Sequence, residues 1–209
     1  MATVATRIGP ADHGRTMTIE EFLEAEEEAG YRYELARGVL EVTNVPNDPH
    51  GQVVYNLSKI IVKYDEAHPG YIQRAGGGNE FQLLLPTMAS GRNPDLSVAL
   101  RGTPRNHRGR RDPVLVAEVV SKRSVDRDYR IKREEYLAFG LLEYWIVDLL
   151  ARKLTVLVRD GDVWVERPCL EGRPIPSLVL PGLIATPTDL WAGLADYDDE
   201  DEEADGDGS

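Results

Sequence analysis

The sequence predicts an α/β or α+β domain whose central mixed β-sheet is flanked by helices. Segments of strand length, either apolar or alternating, dominate the middle of the chain, and turn residues separate them. Segments with helical periodicity interrupt these strands instead of following them as a block. Such a mixed order of about eight strands and three helices is typical of a sheet that carries helices on its faces.

The composition is that of an ordinary globular protein. The chain has 209 residues, of which 42% are hydrophobic and 29% charged, enough for a single domain with a full core. The single cysteine, Cys169, excludes an internal disulfide and a cysteine-rich zinc site. The sequence shows neither the apolar region of a signal peptide nor a segment long enough to span a bilayer. A cytoplasmic protein with no membrane partner is the expectation.

The N-terminal part is predicted to add a helix and a hairpin to the core. Residues 1–15 lack periodicity and are expected to be flexible. Thr18 and Glu21 form a capping box that opens a short helix, which Gly30 can end. Alternating segments at 31–35 and 39–43 flank a short turn, the pattern of a hairpin.

The next stretch alternates helix and strand. An apolar stripe from Val53 to Tyr64 recurs every three or four residues and predicts a helix that ends at 68–70. Strands are predicted at 71–74, 80–85 and 93–100, with a small polar connection at 86–92.

The second half begins with an apolar strand at 114–120. A helix from Ser124 to about Phe139 with Gly140 as its stop, a buried strand at 143–148 and a hairpin over 154–166 follow. A proline-rich segment at 174–194 is expected to wrap over the core. We therefore predict one domain over 16–194 and a disordered acidic tail over 195–209.

Charge is distributed unevenly along the chain. The formal net charge is −12, but the nine acids and no bases between Asp196 and Asp207 leave −3 for the rest. Residues 101–133 hold eleven Lys or Arg against four acids, a local charge of +7. We expect this basic segment to contact a nucleic-acid backbone beside the site proposed next, through Arg101, Arg105, Arg108, Arg110, Arg111, Lys122, Arg123 and Arg127.

Two carboxylates in apolar strands predict a metal site. Glu118 is the one charge within the run 114–120, where an unpaired carboxylate would cost several kcal/mol. Asp95 lies at the start of the preceding predicted strand, so the two side chains can converge at one end of the sheet. Carboxylates suit Mg²⁺ or Mn²⁺, and the backbone carbonyl of Val119 is a possible further ligand.

A lysine that orients an attacking water is expected near such a metal. On a strand, the residue two positions after Glu118 shares its face, but that residue is Val120. Lys132 on the following helix is the best replacement, because Tyr129, Lys132 and Tyr136 share a helix face. Lys122 is the second choice. Glu34 is predicted to hold water at the same site, with an exposed strand glutamate as the alternative.

These motifs resemble the PD-(D/E)XK restriction-endonuclease-like superfamily with its strand lysine missing. The wider pattern is similar to that of the Uma family of putative restriction endonucleases, and its residues are Tyr33-Glu34-Leu35, Gly38, Glu41, His50, Pro94-Asp95-Leu96-Ser97-Val98, Val116 to Ser121, Asp128, Lys132, Tyr136, Gly140 and Glu143 to Asp148. The resemblance covers residues 16–194. One departure is Lys122, where the family usually has proline, and we expect it to change only the loop.

The resemblance implies a restriction-endonuclease-like core and a metal-dependent endonuclease. Asp95 and Glu118 would hold Mg²⁺ or Mn²⁺, and Lys132 would position the water. The expected substrate is DNA, with RNA left open, and cutting two strands favours a homodimer. The alternative is a catalytically inactive nucleic-acid-binding or regulatory module on the same fold, for which the missing strand lysine is the motive.

Overall fold

The computed structural model of the protein describes residues 6–106, 109–195 and 197. The predicted tail over 195–209 lies almost wholly outside these residues. The described part forms, in chain order, β1 (Arg7–Ile8), α1 (Ile19–Glu24), β2 (Glu26–Glu27), β3 (Tyr31–Ala36), β4 (Val39–Asn44), α2 (Asp48–Ala67), β5 (Ile72–Gly76), β6 (Leu83–Leu85), β7 (Ser90–Arg92), β8 (Leu96–Leu100), β9 (Leu115–Val120), α3 (Lys132–Phe139), β10 (Glu143–Asp148), β11 (Lys153–Asp160) and β12 (Val163–Arg167).

The chain divides into two compact units. The first comprises Met1–Pro46 and Gly77–Pro94, and the second comprises Asn47–Gly76 and Asp95–Ser209. The single domain predicted over residues 16–194 stays a prediction.

The first unit is built on a four-stranded antiparallel sheet in the order β4-β3-β7-β6. The predicted capping box starts α1. Thr18 Oγ1 accepts a hydrogen bond from the Glu21 amide at 3.1 Å, and Glu21 Oε2 accepts one from the Thr18 amide at 2.8 Å. The two-residue turn between β3 and β4 has positive φ at both Arg37 and Gly38, as tight hairpins require. The hydrophobic core of the first unit is formed by Ile8, Met17, Phe22, Tyr33, Leu35 and Leu40.

Three elements of this unit differ from those predicted from the local sequence pattern. Residues 79–81 form a 3₁₀ turn, so the strand predicted at 80–85 shrinks to β6. The predicted polar connection at 86–92 contains β7, which pairs with both β3 and β6. Its sequence Ser-Gly-Arg has no strand pattern, and its pairing partners impose the extended conformation. The helix α1 ends at Glu24 instead of near Gly30.

The second unit carries the predicted mixed sheet, in the order β12-β11-β10-β9-β8-β5. Strands β9 and β10 are parallel and the other neighbours are antiparallel. A parallel pair needs a crossover connection, and α3 supplies it between β9 and β10. The helix ends at Gly140, whose φ of 97° is the left-handed cap expected there.

Alternate residues of the central strands face different helices. Ala117 and Val119 of β9 pack with Trp145 and Val147 of β10 in a core that includes Val53, Leu57, Ile60 and Ile61 of α2. Glu118 has the opposite parity and bonds with side chains of α3. The sheet therefore has α2 on one face and α3 on the other, which confirms the predicted helix-flanked arrangement.

The C-terminal segment packs on the same core, as predicted. Ile175, Val179, Leu180, Leu183, Leu190 and Leu194 are members of it. The buried carboxylate of Glu143 anchors this segment by accepting the amides of Leu178 at 2.6 Å and Val179 at 2.9 Å, and the indole N–H of Trp145 at 2.6 Å. No helix in the described part of the chain is long and apolar enough to cross a membrane.

Candidate active site

The candidate site is centred on Glu118 in β9. All six residues of β9 are buried, and Glu118 is 2% exposed. Burying a carboxylate in this way is costly unless cations and hydrogen bonds compensate it. The surrounding side chains supply that compensation.

Lys132 and Tyr136, one turn apart on α3, both contact Glu118. Lys132 Nζ lies 3.0 Å from Glu118 Oε1, and the Tyr136 hydroxyl donates to the same oxygen at 2.6 Å. Lys132 is 2% exposed and Tyr136 is fully buried. The spacing of i and i+4 on one helix face brings both donors to one oxygen. A lysine of α3 thus lies beside Glu118, whereas position 120 of β9 is Val120.

A π-helical turn precedes α3 and positions a second carboxylate. Residues Arg127–Ile131 form this turn, which takes one more residue than an α-helical turn and is common at functional sites. Within it, Asp128 is 2% exposed and its Oδ1 lies 3.7 Å from Lys132 Nζ. The Tyr144 hydroxyl of β10 donates to the backbone carbonyl of Asp128 at 2.9 Å. Lys132 therefore lies between the carboxylates of Glu118 and Asp128.

Burial dominates the electrostatics of Asp128. Loss of hydration raises the pKa of this carboxyl above its ordinary value. The positive charges of Lys132 and Arg127 and a hydrogen bond from Ser124 oppose the increase, whereas the negative charge of Asp95 adds to it. The π-helical turn thus holds a carboxylate whose ionised form depends on Lys132.

Asp95 lies immediately before β8, at the same end of the sheet as Glu118. The antiparallel register pairs Leu96 with Ala117, and continuing it by one residue puts Asp95 opposite Glu118. Asp95 Oδ2 accepts the Val119 amide at 2.8 Å and lies 3.2 Å from His50 Nε2. The two strands therefore pair side by side as predicted, and the convergence of the two carboxylates on one metal stays a prediction. The Val119 carbonyl as a metal ligand stays a prediction.

The donor set fits a hard divalent cation held partly by water. Among the residues that the structure describes, no group of three or more His, Cys, Asp or Glu side chains is arranged to hold a metal. Mg²⁺ usually takes only one or two protein carboxylates and completes its octahedron with waters and substrate phosphate. Asp95 and Glu118 on neighbouring strands match that requirement.

Glu34 lies in the first unit, where it is buried instead of exposed. Its Oε1 accepts the Asn93 amide at 2.8 Å, and its Oε2 lies 3.3 Å from Arg92 Nη1. Across the hairpin Glu34 faces Glu41, and Glu41 Oε2 accepts a hydrogen bond from the same Arg92 Nη1 at 2.8 Å. One buried guanidinium thus neutralises two opposed carboxylates, and the alternative of a solvated strand glutamate is wrong. A role in holding water stays a prediction.

The predicted basic surface divides into two groups at different ends of the strands. Lys122, Arg123 and Arg127 follow β9 directly, at the end of the sheet where Asp95 lies. The loop after β8 carries Arg101, Arg105, Arg110 and Arg111, and Arg108 lies outside the described residues. Strand β8 has five residues. At about 3.3 Å per residue it separates Asp95 from Arg101 by roughly 20 Å.

Contact of the loop arginines with nucleic acid stays a prediction, and the loop begins roughly 20 Å from Asp95. The reason is the hairpin-like connection of β8 to β9, which puts the loop opposite the strand end that carries Asp95. Arg105 donates to the Gly109 carbonyl within the loop, so part of its hydrogen bonding serves the loop itself. Lys122 and Arg123 are exposed and remain available to a ligand at the site end.

Tyr129 differs from its prediction. Its hydroxyl donates to Asp148 Oδ2 at 2.9 Å, at the end of β10, instead of approaching Glu118 with Lys132 and Tyr136. The π-helical turn that contains Tyr129 changes the angular spacing on which the predicted helix face depended. Burial and the hydrogen bond to Asp148 raise the pKa of Tyr129 to about 12.

Sequence reasoning gave no functional role to His50. Its position at the start of a helix indicated only capping or packing, and its partner Asp95 is distant in sequence. One signal in the sequence could have indicated this contact. His50 lies in the first turn of the predicted helix, and that helix, α2, packs on the sheet beside the strand that follows Asp95.

Comparison with known proteins finds a matching family and similar solved structures. The model of the family Uma2, described as "Putative restriction endonuclease", matches residues 19–188. The crystal structure of a putative nuclease belonging to DUF820 from Anabaena variabilis ATCC 29413 is 17% identical, with a TM-score of 0.63, and the match covers 84% of this chain and 97% of that one. This likeness confirms the predicted fold class. No curated protein sequence matches this chain.

Proposed function

Because the chain belongs to the Uma2 family of putative restriction endonucleases, we propose that it is a divalent-metal-dependent endonuclease that hydrolyses phosphodiester bonds of DNA. The observation that carries the proposal is the 3.0 Å contact between Lys132 Nζ and Glu118 Oε1. It supports a site with two acids and a lysine although β9 itself has Val120 where a lysine was expected.

The residues of the site have separate tasks in this proposal. Asp95 and Glu118 would hold Mg²⁺ or Mn²⁺. A divalent ion held there supplies positive charge that offsets the charge developing on a phosphate. Lys132 would donate its N–H groups to the attacking water and to a phosphate oxygen, and Asp128 would hold Lys132 from its other side.

Nucleic acid would be held by the basic residues at the site end of the sheet. Lys122 and Arg123 are exposed directly after β9, and each phosphate that they neutralise should steepen the logarithmic salt dependence of binding by about 0.9 on duplex DNA. The arginines of the loop after β8 would reach a duplex only if it extends about 20 Å from the site, or roughly six base pairs at 3.4 Å each. A homodimer stays a prediction, which light scattering can check.

Cleavage assays test the proposal with isosteric variants. Plasmid and single-stranded DNA are incubated with wild type, Asp95→Asn and Glu118→Gln while Mg²⁺ or Mn²⁺ is titrated. Glu166→Gln is the control, because Glu166 is an exposed carboxylate of β12 in the same unit. We expect metal-dependent cleavage by wild type and the control, and none by the two site variants.

The second candidate is a nucleic-acid-binding module without turnover. The observation that favours it is the burial of Lys132 and Glu118, each 2% exposed and ion-paired with the other. DNA binding without cleavage under any divalent ion would contradict the endonuclease and support this module. RNA takes the place of DNA in parallel assays, which decide between the two substrates.

A further inference from the structure

We infer that His50 and Tyr136 are positioning residues that orient the carboxylates of Asp95 and Glu118 toward a divalent cation. The inference rests on the proposed function and deepens it, because it assigns a task to two side chains that neither bind substrate nor serve as metal ligands in that proposal. One donor comes from each of the helices α2 and α3.

His50 restrains Asp95. It lies in the first turn of α2, is 6% exposed, and its Nε2 is 3.2 Å from Asp95 Oδ2. The His50 tautomer that carries its proton on Nε2 can donate to this oxygen, because an ionised carboxylate only accepts hydrogen bonds. The same oxygen also accepts the Val119 amide at 2.8 Å. Two donors on one oxygen, one from a helix and one from β9, fix the rotation of the Asp95 carboxylate.

Tyr136 restrains Glu118 in the same way. Its hydroxyl donates to Glu118 Oε1 at 2.6 Å, and its ring packs edge-on against Tyr144 with centroids 5.1 Å apart. The ring is fully buried, so the phenol cannot leave this position without repacking the core. Lys132 approaches the same oxygen at 3.0 Å. Glu118 is thus oriented by a neutral donor that keeps its place even when the lysine engages a substrate.

The pairing of donors with candidate ligands argues for more than structural support. A buried carboxylate that only needs satisfaction can accept backbone amides, as Glu143 does with Leu178 and Val179. Glu118 instead has the side chains of Tyr136 and Lys132 on α3 as partners, and Asp95 has His50 of α2 beside the Val119 amide. These helix side chains set a direction as well as satisfy the charge. Partners of this kind around metal-binding carboxylates typically contribute about 10- to 100-fold to metal affinity.

Direct measurement of Mn²⁺ binding tests the inference without relying on cleavage. Free Mn²⁺ is measured by electron paramagnetic resonance in titrations of the full chain, as wild type, His50→Ala, His50→Gln and Tyr136→Phe. Matched controls are His68→Ala and Tyr64→Phe, since Tyr64 lies on α2 and His68 directly follows it. The hydrogen bonds of His68 and Tyr64 go to the carbonyls of Tyr64 and Pro181, respectively. Thermal unfolding of every variant is measured to check that each one is folded.

We expect His50→Ala and Tyr136→Phe to weaken Mn²⁺ binding about 10- to 100-fold and the controls to bind as wild type does. His50→Gln should recover most of the affinity, because its amide nitrogen can reach the position of Nε2. Equal Mn²⁺ affinity in all folded variants would overturn the positioning roles and leave the endonuclease proposal standing. Absence of Mn²⁺ binding by wild type would overturn both. If His50→Ala unfolds, Tyr136→Phe, which keeps the ring in place, decides the outcome.

Discussion

Replacing Lys132 with methionine should destabilise the fold strongly and in a pH-dependent way. Methionine has a similar length and fills the same space, so the change removes the charge and little packing. Lys132 is 2% exposed and lies 3.0 Å from Glu118 Oε1 and 3.7 Å from Asp128 Oδ1. Its removal leaves two buried carboxylates without the cation they share.

The magnitude follows from these distances. At an effective dielectric constant of about 20, the attractions amount to roughly 5.5 kcal/mol for the shorter contact and roughly 4.5 kcal/mol for the longer one. The dehydration cost of the ammonium disappears with it and offsets part of the loss. Measured losses on breaking a buried pair are about 3–5 kcal/mol, and we expect that range at pH 7. For a domain of this size the midpoint temperature would fall by about 6–20 °C.

The pH dependence has a defined sign. Burial raises the pKa of Asp128 and Lys132 lowers it, so the variant raises that pKa further. An acid whose pKa is higher in the folded state binds protons more tightly there, and its ionisation destabilises the fold as pH rises. The difference between variant and wild type should therefore be largest near pH 7 and should shrink as pH falls toward 4.

Urea unfolding at several pH values measures both effects. The control is Lys153→Met, which removes a lysine 3.9 Å from Glu166 where both side chains are more than half exposed. An exposed pair of this kind contributes about 0–1 kcal/mol, so the control should resemble wild type. A loss below 1 kcal/mol for Lys132→Met at pH 7, or a loss that grows in acid, would refute the buried-pair reasoning.

Three further predictions concern other parts of the chain. Arg92→Met should cost the first unit about 3 kcal/mol in urea unfolding, because Glu34 and Glu41 would face each other without their guanidinium, and a loss under 1 kcal/mol would contradict this. Glu143→Gln should cost about 2–3 kcal/mol in thermal unfolding, since one amide oxygen cannot accept all three N–H groups that the carboxylate accepts, and an unchanged midpoint would contradict this. Burial raises the pKa of Cys169 from 9.0 to about 11, so its thiolate population at pH 8 is about 100-fold lower than in the unfolded chain. Iodoacetamide should therefore alkylate Cys169 about 100-fold more slowly in the folded protein than in the unfolded chain. Equal alkylation rates would contradict the shift.

Elements with a local cause were predictable from the sequence. The capping box of α1 needs only Thr18 and Glu21, and the turn between β3 and β4 needs only a residue pair that tolerates positive φ. The buried strand β9 is evident from its apolar run, and Glu118 stands out there because an isolated charge requires a partner. In each case the information lies within a few residues of the chain.

Features that depend on distant partners could not be predicted. Strand β7 has the sequence Ser-Gly-Arg and becomes a strand only because β3 and β6 pair with it. The contact of His50 with Asp95 joins residues 45 positions apart. The π-helical turn before α3 shifts Tyr129 to Asp148, although spacing alone predicted a shared face with Lys132. Tertiary packing decides all three.

The relocated lysine has a consequence for how the site is stabilised. A lysine at position 120 would share the strand of Glu118 and need no further support than the sheet. Lys132 instead reaches Glu118 from α3, and its helix carries both Asp128 and Tyr136 to the same place. The lysine is therefore held by two carboxylates instead of one. The charge balance of the site therefore depends on Asp128, whose own ionised form is disfavoured by burial.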